Sequence, residues 1–237
     1  MDILIVVIIT SLIQSLFGVG VLLFGTPLLL LLGYPFMDSL LVLLPISASI
    51  NALQIVKDYK YINRNIYKQI LMFTVPFIVL FLFLISKVDI DINIVIGLFL
   101  IFIALKEYIN YLQVFFTKIL SYNKVFYSMM GVVHGLTNLG GALLTAKVFH
   151  TSLNKYEKRA TIAISYMTFA IFQIITILFI DNNFDVLNLG YIIVGITVYI
   201  TINKLFFHKI SEHKYDKLFS FFLFASGISL VFKGLIW

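Results

Sequence analysis

Two glycine-rich stretches hold the residues best suited to chemistry in this chain. The first reads Gly18-Val19-Gly20-Val21-Leu22-Leu23-Phe24-Gly25-Thr26-Pro27, and the second runs through Gly131, Gly135, Asn138, Gly140 and Gly141. The chemistry they suit is recognition of a small oxyanion rather than bond making. A helix that stops partway leaves free N–H groups at the positive end of its dipole. Glycine lets an anion approach that backbone closely, and Asn138 can both donate and accept. Other polar residues fall inside apolar stretches: Gln14, Ser47, Ser49, Asn51 and Gln54 in the first half, and His134, Thr137, Ser165, Tyr166, Thr168 and Gln173 in the second. Serine and threonine can also bond a carbonyl one turn back, and glycine recurs wherever helices pack closely. Recurrence of the motif in equivalent places is what favours a binding role. Lys147, near the end of its stretch, either snorkels to the surface or draws an anion towards the site from the cytoplasm. The candidate substrate-binding set is therefore Gln14, Gly18, Gly20, Ser47, Asn51, Gln54, His134, Thr137, Asn138, Gly140, Gly141, Lys147 and Gln173.

Catalytic signatures are missing from the sequence. There is no zinc helix of the His-Glu-x-x-His type, no Gly-x-Ser-x-Gly elbow and no phosphate-binding Gly-Lys-Ser/Thr loop. With no cysteine, disulfides, thiolate metal sites and a thiol nucleophile are excluded. His208 and His213 flank a basic loop, which a solvated face explains without a metal. No enzyme activity and no cofactor are expected. Asp38, Glu107 and Glu157 lie near the ends of stretches, so a carboxylate proton relay is unsupported. An anion exporter can do without one, because a negative interior drives each unit charge outward with ~2.3 kcal/mol per 100 mV.

The elements that position these residues are membrane helices. Of the residues, 61% are hydrophobic and 12% charged, more apolar surface than a soluble domain of this size can cover. Apolar stretches lie near 3 to 32, 38 to 56, 66 to 86, 92 to 112, 125 to 149, 160 to 180, 187 to 207 and 218 to 236. As one helix the first would be ~45 Å long, too long for a bilayer core of ~30 Å. It and the fifth, both glycine-interrupted, are expected to be broken helices, while Pro45 and Pro76 kink theirs.

Each broken stretch is followed by three plainer ones, which makes the chain a duplicated unit, residues 1–120 and 121–237. Laying Gly20 on Gly140 also lays Gln14 on His134 and Leu23 on Leu143. The net charge of +6 collects in short connections, which argues for membrane orientation and against nucleic-acid binding. Lys57, Lys60, Arg64 and Lys68, then Lys106, Lys118 and Lys124, mark basic loops in the first half; Lys155, Lys158 and Arg159, then Lys204, Lys209, Lys214 and Lys217, mark them in the second. Asp89, Asp91, Asp181 and Asp185 lie on the alternate connections. If all eight stretches crossed once, the positive-inside rule would fail in one half. If the first and fifth are re-entrant hairpins, every basic loop falls inside. The expected fold is thus an all-α polytopic membrane protein, an inverted repeat of two units, each a glycine-broken re-entrant hairpin plus three transmembrane helices. Both termini then face outside the cytoplasm, Met1 and Asp2 being retained. A small anion and membrane lipid are the expected partners, and the sequence leaves self-association open.

The glycine motifs resemble the signature of the TauE/SafE sulfite exporter family, a Gly-x-Gly-Gly-Gly run, four residues, then Pro, in both halves. Gly18, Gly20 and Pro27 match, with Val21 and Leu22 in place of two glycines. The second copy reads Asn138-Leu139-Gly140-Gly141-Ala142, has Lys147 where Pro is usual, and continues into Lys158-Arg159-Ala160-Thr161. The resemblance spans the full length and implies a transporter, mostly an exporter, of small sulfur-containing anions such as sulfite and organosulfonates. Two other classes remain compatible with the residues: a non-transporting membrane assembly or scaffold protein whose glycines only pack helices, and a cation carrier.

Overall fold

The computed structural model describes residues 1–17, 19–88, 92–105, 108–180, 188–206 and 224–235. Gly18 lies outside them, as do Asp89, Asp91, Lys106, Glu107, Asp181, Asp185, His208, Lys209, His213, Lys214 and Lys217. Among the described residues the chain is helix and connection, with no strand. This is the economy that lipid demands, since an unpaired backbone amide there costs several kcal/mol.

The first apolar stretch splits into α1 (Asp2–Phe17) and α2 (Val21–Leu31), and α3 (Phe36–Asp58) follows. Then come α4 (Arg64–Phe73) and α5 (Val75–Ile85), which together make one span interrupted at Thr74, just before Pro76. The later helices are α6 (Ile92–Leu105), α7 (Asn110–Ser121), α8 (Asn123–Thr137), α9 (Gly140–Phe149), α10 (Lys155–Ile180), α11 (Asn188–Phe206) and α12 (Phe224–Leu235). Among the described residues three helices are long and apolar enough to cross a bilayer unaided: Phe36–Tyr61, Arg64–Ile85 and Lys155–Ile180.

Three departures from the sequence reading have local causes. The stretch expected over 92 to 112 ends as α6 at Leu105. Beyond it α7 is a separate amphipathic helix exposing Tyr111, Val114 and Phe115 beside Lys118, the pattern of a helix lying in a membrane interface. Helix α10 begins at Lys155, ahead of the apolar run, because Asn154 and Glu157 form a capping box: Asn154 Oδ1 accepts from the amides of Tyr156 and Glu157, and Glu157 Oε2 accepts from the Asn154 amide. Gly131 and Gly135, expected to interrupt the fifth stretch, instead sit within an unbroken α8.

Those two glycines lie one turn apart and bring α8 against α5. A side chain on Gly131 would strike the Thr74 carbonyl, and one on Gly135 would sit 2.8 Å from the Ile78 carbonyl. The Thr74 hydroxyl donates to the Tyr127 carbonyl at 3.0 Å in the same seam. This is small-residue packing, which lets backbones approach in a solvent with no hydrophobic effect of its own. Gly131→Val is expected to cost about 1–3 kcal/mol through overpacking against backbone that cannot yield, seen as a lowered melting temperature in detergent.

Helix pairing is reciprocal between the two halves. At the centre α3 packs along α10; around that pair α1 packs on α11 while α8 packs on α5, and α11 lies on α3 while α5 lies on α10. Each half thus supplies surfaces that the other completes. The small-residue contact of Gly97 with Gly227 brings α6 and α12 together in the same manner.

Candidate functional site

The two breaks are built alike. A Cβ placed on Gly20 would lie 2.8 Å from the Thr10 carbonyl and 3.0 Å from Gln14 Cα; one placed on Gly140 would lie 2.7 Å from the Met130 carbonyl and 3.0 Å from His134 Cα. In both halves the glycine opens the second helix and lies flat on the first helix, six and ten residues back. Only a residue without Cβ permits that fold-back. The register that lays Gly20 on Gly140 therefore also lays Gln14 on His134 in space.

From those equivalent places each side chain reaches the third helix of its own half. Gln14 Nε2 donates to Asn51 Oδ1 at 3.3 Å, and His134 Nε2 lies 3.1 Å from Gln173 Oε1. The first network continues inward: Asn51 Nδ2 donates to the Ser47 carbonyl at 2.8 Å and to Ser47 Oγ at 3.1 Å. Gln14 Oε1 also accepts from the Val21 amide at 2.9 Å, so it caps the start of α2 and ties the hairpin shut.

The second hairpin turns at Asn138, which among the described residues is the one non-glycine in the left-handed region, at φ 61°. Asparagine tolerates that conformation better than most residues. The Asn138 amide donates to the His134 carbonyl at 2.8 Å, closing α8, and Thr137 Oγ accepts from the Leu139 amide at 3.2 Å. Gly140 and Gly141 open α9, so their amides have no acceptor within the helix. Asn138 Nδ2 then reaches across to the other half and donates to Thr26 Oγ on α2 at 2.9 Å. That bond joins the two hairpins. Burial is nearly complete throughout: Ser47, Asn51, His134 and Gln173 are 0% exposed, Asn138 1% and Gln14 2%.

Two residues outside the candidate set take part. Thr26 supplies the inter-hairpin bond; its place inside the first glycine motif was the available signal. Tyr166 on α10 lies directly over Gly141, where any side chain would coincide with its hydroxyl, and its ring leads through Phe169 to His134, with ring centroids 6.2 and 4.8 Å apart in turn.

Two members of the set take no part in these bonds. Lys147, on α9, donates to the Leu120 carbonyl and to Asn123 Oδ1 at 2.6 Å, and its ammonium sits over the rings of Phe126 and Tyr127. It neutralises the exposed carbonyl end of α7 rather than facing the hairpin ends. Gln54, one turn beyond Asn51 on α3, is buried near Tyr199, with neither of its side-chain polar atoms hydrogen-bonded among the described residues; the Tyr199 hydroxyl accepts from Arg159 Nη2 at 2.9 Å.

Each hairpin thus bonds to a buried set of amides and hydroxyls, with one imidazole in the second half and no carboxylate or ammonium among the members. A family model described as sulfite exporter TauE/SafE matches residues 3–230, nearly the whole chain. The chain belongs to the TauE/SafE family. It is accordingly an integral membrane protein of a transporter family. No curated protein and no solved structure matches the chain.

Proposed function

We propose that this TauE/SafE protein exports a small anion, sulfite or an organosulfonate, across the cell membrane by alternating access around the hairpins at Gly20 and Gly140. On this reading residues 1–120 and 121–237 act as inverted copies, each hairpin re-entrant and both termini outside the cytoplasm. The bond from Asn138 to Thr26 is the observation that carries it, because it makes a polar, fully buried junction between the turn that precedes α9 and the second turn of α2. Buried polar groups in lipid are expensive and persist where they serve a pathway. Helix starts offer amides and positive dipole ends to an anion without placing a fixed cation in the core. The reciprocal packing of the halves adds support, since rocking one hairpin unit against the other would open the junction to one side at a time.

Purified protein in liposomes loaded with sulfite tests the proposal. Efflux is expected to saturate with concentration and to respond to potential, 100 mV giving a singly charged anion an equilibrium ratio of about 50-fold. Efflux no faster than from protein-free liposomes, with sulfite and with sulfonates alike, would overturn transport and leave the glycines a packing role.

A further inference from the structure

We infer that the transported anion brings a hydrogen-bond donor of its own, as hydrogensulfite or a hydroxy- or amino-substituted sulfonate does, and that the second hairpin is the half that reads it. The inference rests on the transport proposal above and on a difference between the two equivalent pairs, Gln14 with Asn51 and His134 with Gln173; away from those pairs, Ser11 Oγ and both side-chain atoms of Gln54 in the first half also lack partners among the described residues. In the first half the side-chain nitrogen and oxygen of Gln14 and Asn51 all have partners: Gln14 bonds Val21 and Asn51, and Asn51 bonds Ser47. That network is closed and holds the hairpin. In the second half three buried side-chain atoms have no partner among the described residues: His134 Nδ1, Gln173 Nε2 and Asn138 Oδ1. Such groups are rare in native proteins, and each orphan costs about 1–3 kcal/mol; two lie on a bonded pair and the third on the residue whose amide bonds the His134 carbonyl, one turn on, so together they mark where a ligand would complete the bonding.

The donor and acceptor count follows from the pair itself. Gln173 Oε1 can only accept, so the proton rests on His134 Nε2, which leaves Nδ1 of the neutral ring an acceptor and Gln173 Nε2 a donor. Turning the amide over exchanges these roles but leaves the same sum, one donor and one acceptor. Asn138 Oδ1, freed because Nδ2 is held by Thr26, adds a second acceptor. A fully deprotonated oxyanion offers acceptors only and would face these lone pairs unpaired. A ligand with one O–H or N–H besides its anionic oxygens satisfies both kinds of group. The absence of a fixed cation in the cluster points the same way, since a second negative charge there would be buried without a partner.

A matched pair of sulfonates tests this. Isethionate and ethanesulfonate have the same charge and chain length and differ by one hydroxyl. As competitors of sulfite efflux from liposomes containing the full-length protein, isethionate is expected to inhibit at about tenfold lower concentration. In Asn138→Gly, which keeps the left-handed turn but removes both the Oδ1 acceptor and the donor to Thr26, that ratio is expected to fall towards one, whereas Thr26→Val, which breaks the same inter-hairpin bond but leaves Oδ1, is expected to keep it. Equal inhibition by the two sulfonates in the unaltered protein would overturn the inference while leaving transport intact, as would a ratio unchanged by Asn138→Gly. Absence of sulfite efflux in the unaltered protein would instead sink the transport proposal beneath it.

Discussion

Gly141→Ala is expected to slow anion efflux about 100-fold while leaving the protein folded. The added methyl group would coincide with the Tyr166 hydroxyl, so the ring has to move. Tyr166 is 3% exposed and has no open side to move into. Its displacement passes to Phe169 and from there to the His134 imidazole, 4.8 Å away centroid to centroid. A shift of about 1 Å in a positioning group is enough to cost roughly 100-fold in a preorganised site. Initial rates of sulfite efflux at matched protein density measure the effect. Shortening the tyrosine should relieve it: the double variant Gly141→Ala with Tyr166→Phe is expected to recover part of the rate. Wild-type flux in the single variant would show that Gly141 and Tyr166 do not set the geometry of the path.

Gln14→Leu is expected to destabilise the protein more than any other single polar-to-apolar change in the first half. Two partners lose their bond at once, and they are not equal. A side-chain to side-chain bond within a membrane protein contributes about 0.6 kcal/mol on average, so loss of the Asn51 contact alone is tolerable. The Val21 amide is different, because its position at the start of α2 offers no helical acceptor and an unpaired amide at membrane depth costs several kcal/mol. Gln14→Glu keeps an acceptor for Val21 and should retain more stability than leucine if it stays protonated. The check is the fraction of monodisperse protein recovered after a heating series. Equal recovery of Gln14→Leu and the unaltered protein would show that the hairpin is held by its glycine packing alone.

Much of this arrangement was legible in the residues and part was not. The break points were readable because glycine is the only residue that allows the fold-back at Gly20 and Gly140, and the pairing of Gln14 with His134 followed from laying one glycine on the other. Their partners were not readable in the same way. Asn51 lies 37 residues from Gln14, whereas Gln173 lies 39 from His134, so the third-helix residue slips between the halves and a strict overlay misses it. Gly131 and Gly135 illustrate the ambiguity of glycine itself: in sequence they extend the broken motif, but in the fold they serve the α5 seam. Lys147 was placed by a partner in another helix, the carbonyl end of α7, whose existence as a separate element the apolar pattern had hidden. Asn154 and Glu157 could have been found in advance, since Asn followed three residues later by Glu is the mark of a helix start.

The central claim is that the buried junction between the hairpins is reached from each side of the membrane in turn, and the absence of cysteine makes accessibility the direct test. Thr26→Cys puts a thiol at the inter-hairpin bond itself, at a position 0% exposed and 2.9 Å from Asn138 Nδ2. In oriented membranes that single thiol is expected to react with a membrane-impermeant reagent added on either face, and more slowly from both when a transported sulfonate is present. A thiol that stays unmodified from both faces, or reacts from one face alone whatever the ligand, would contradict the account.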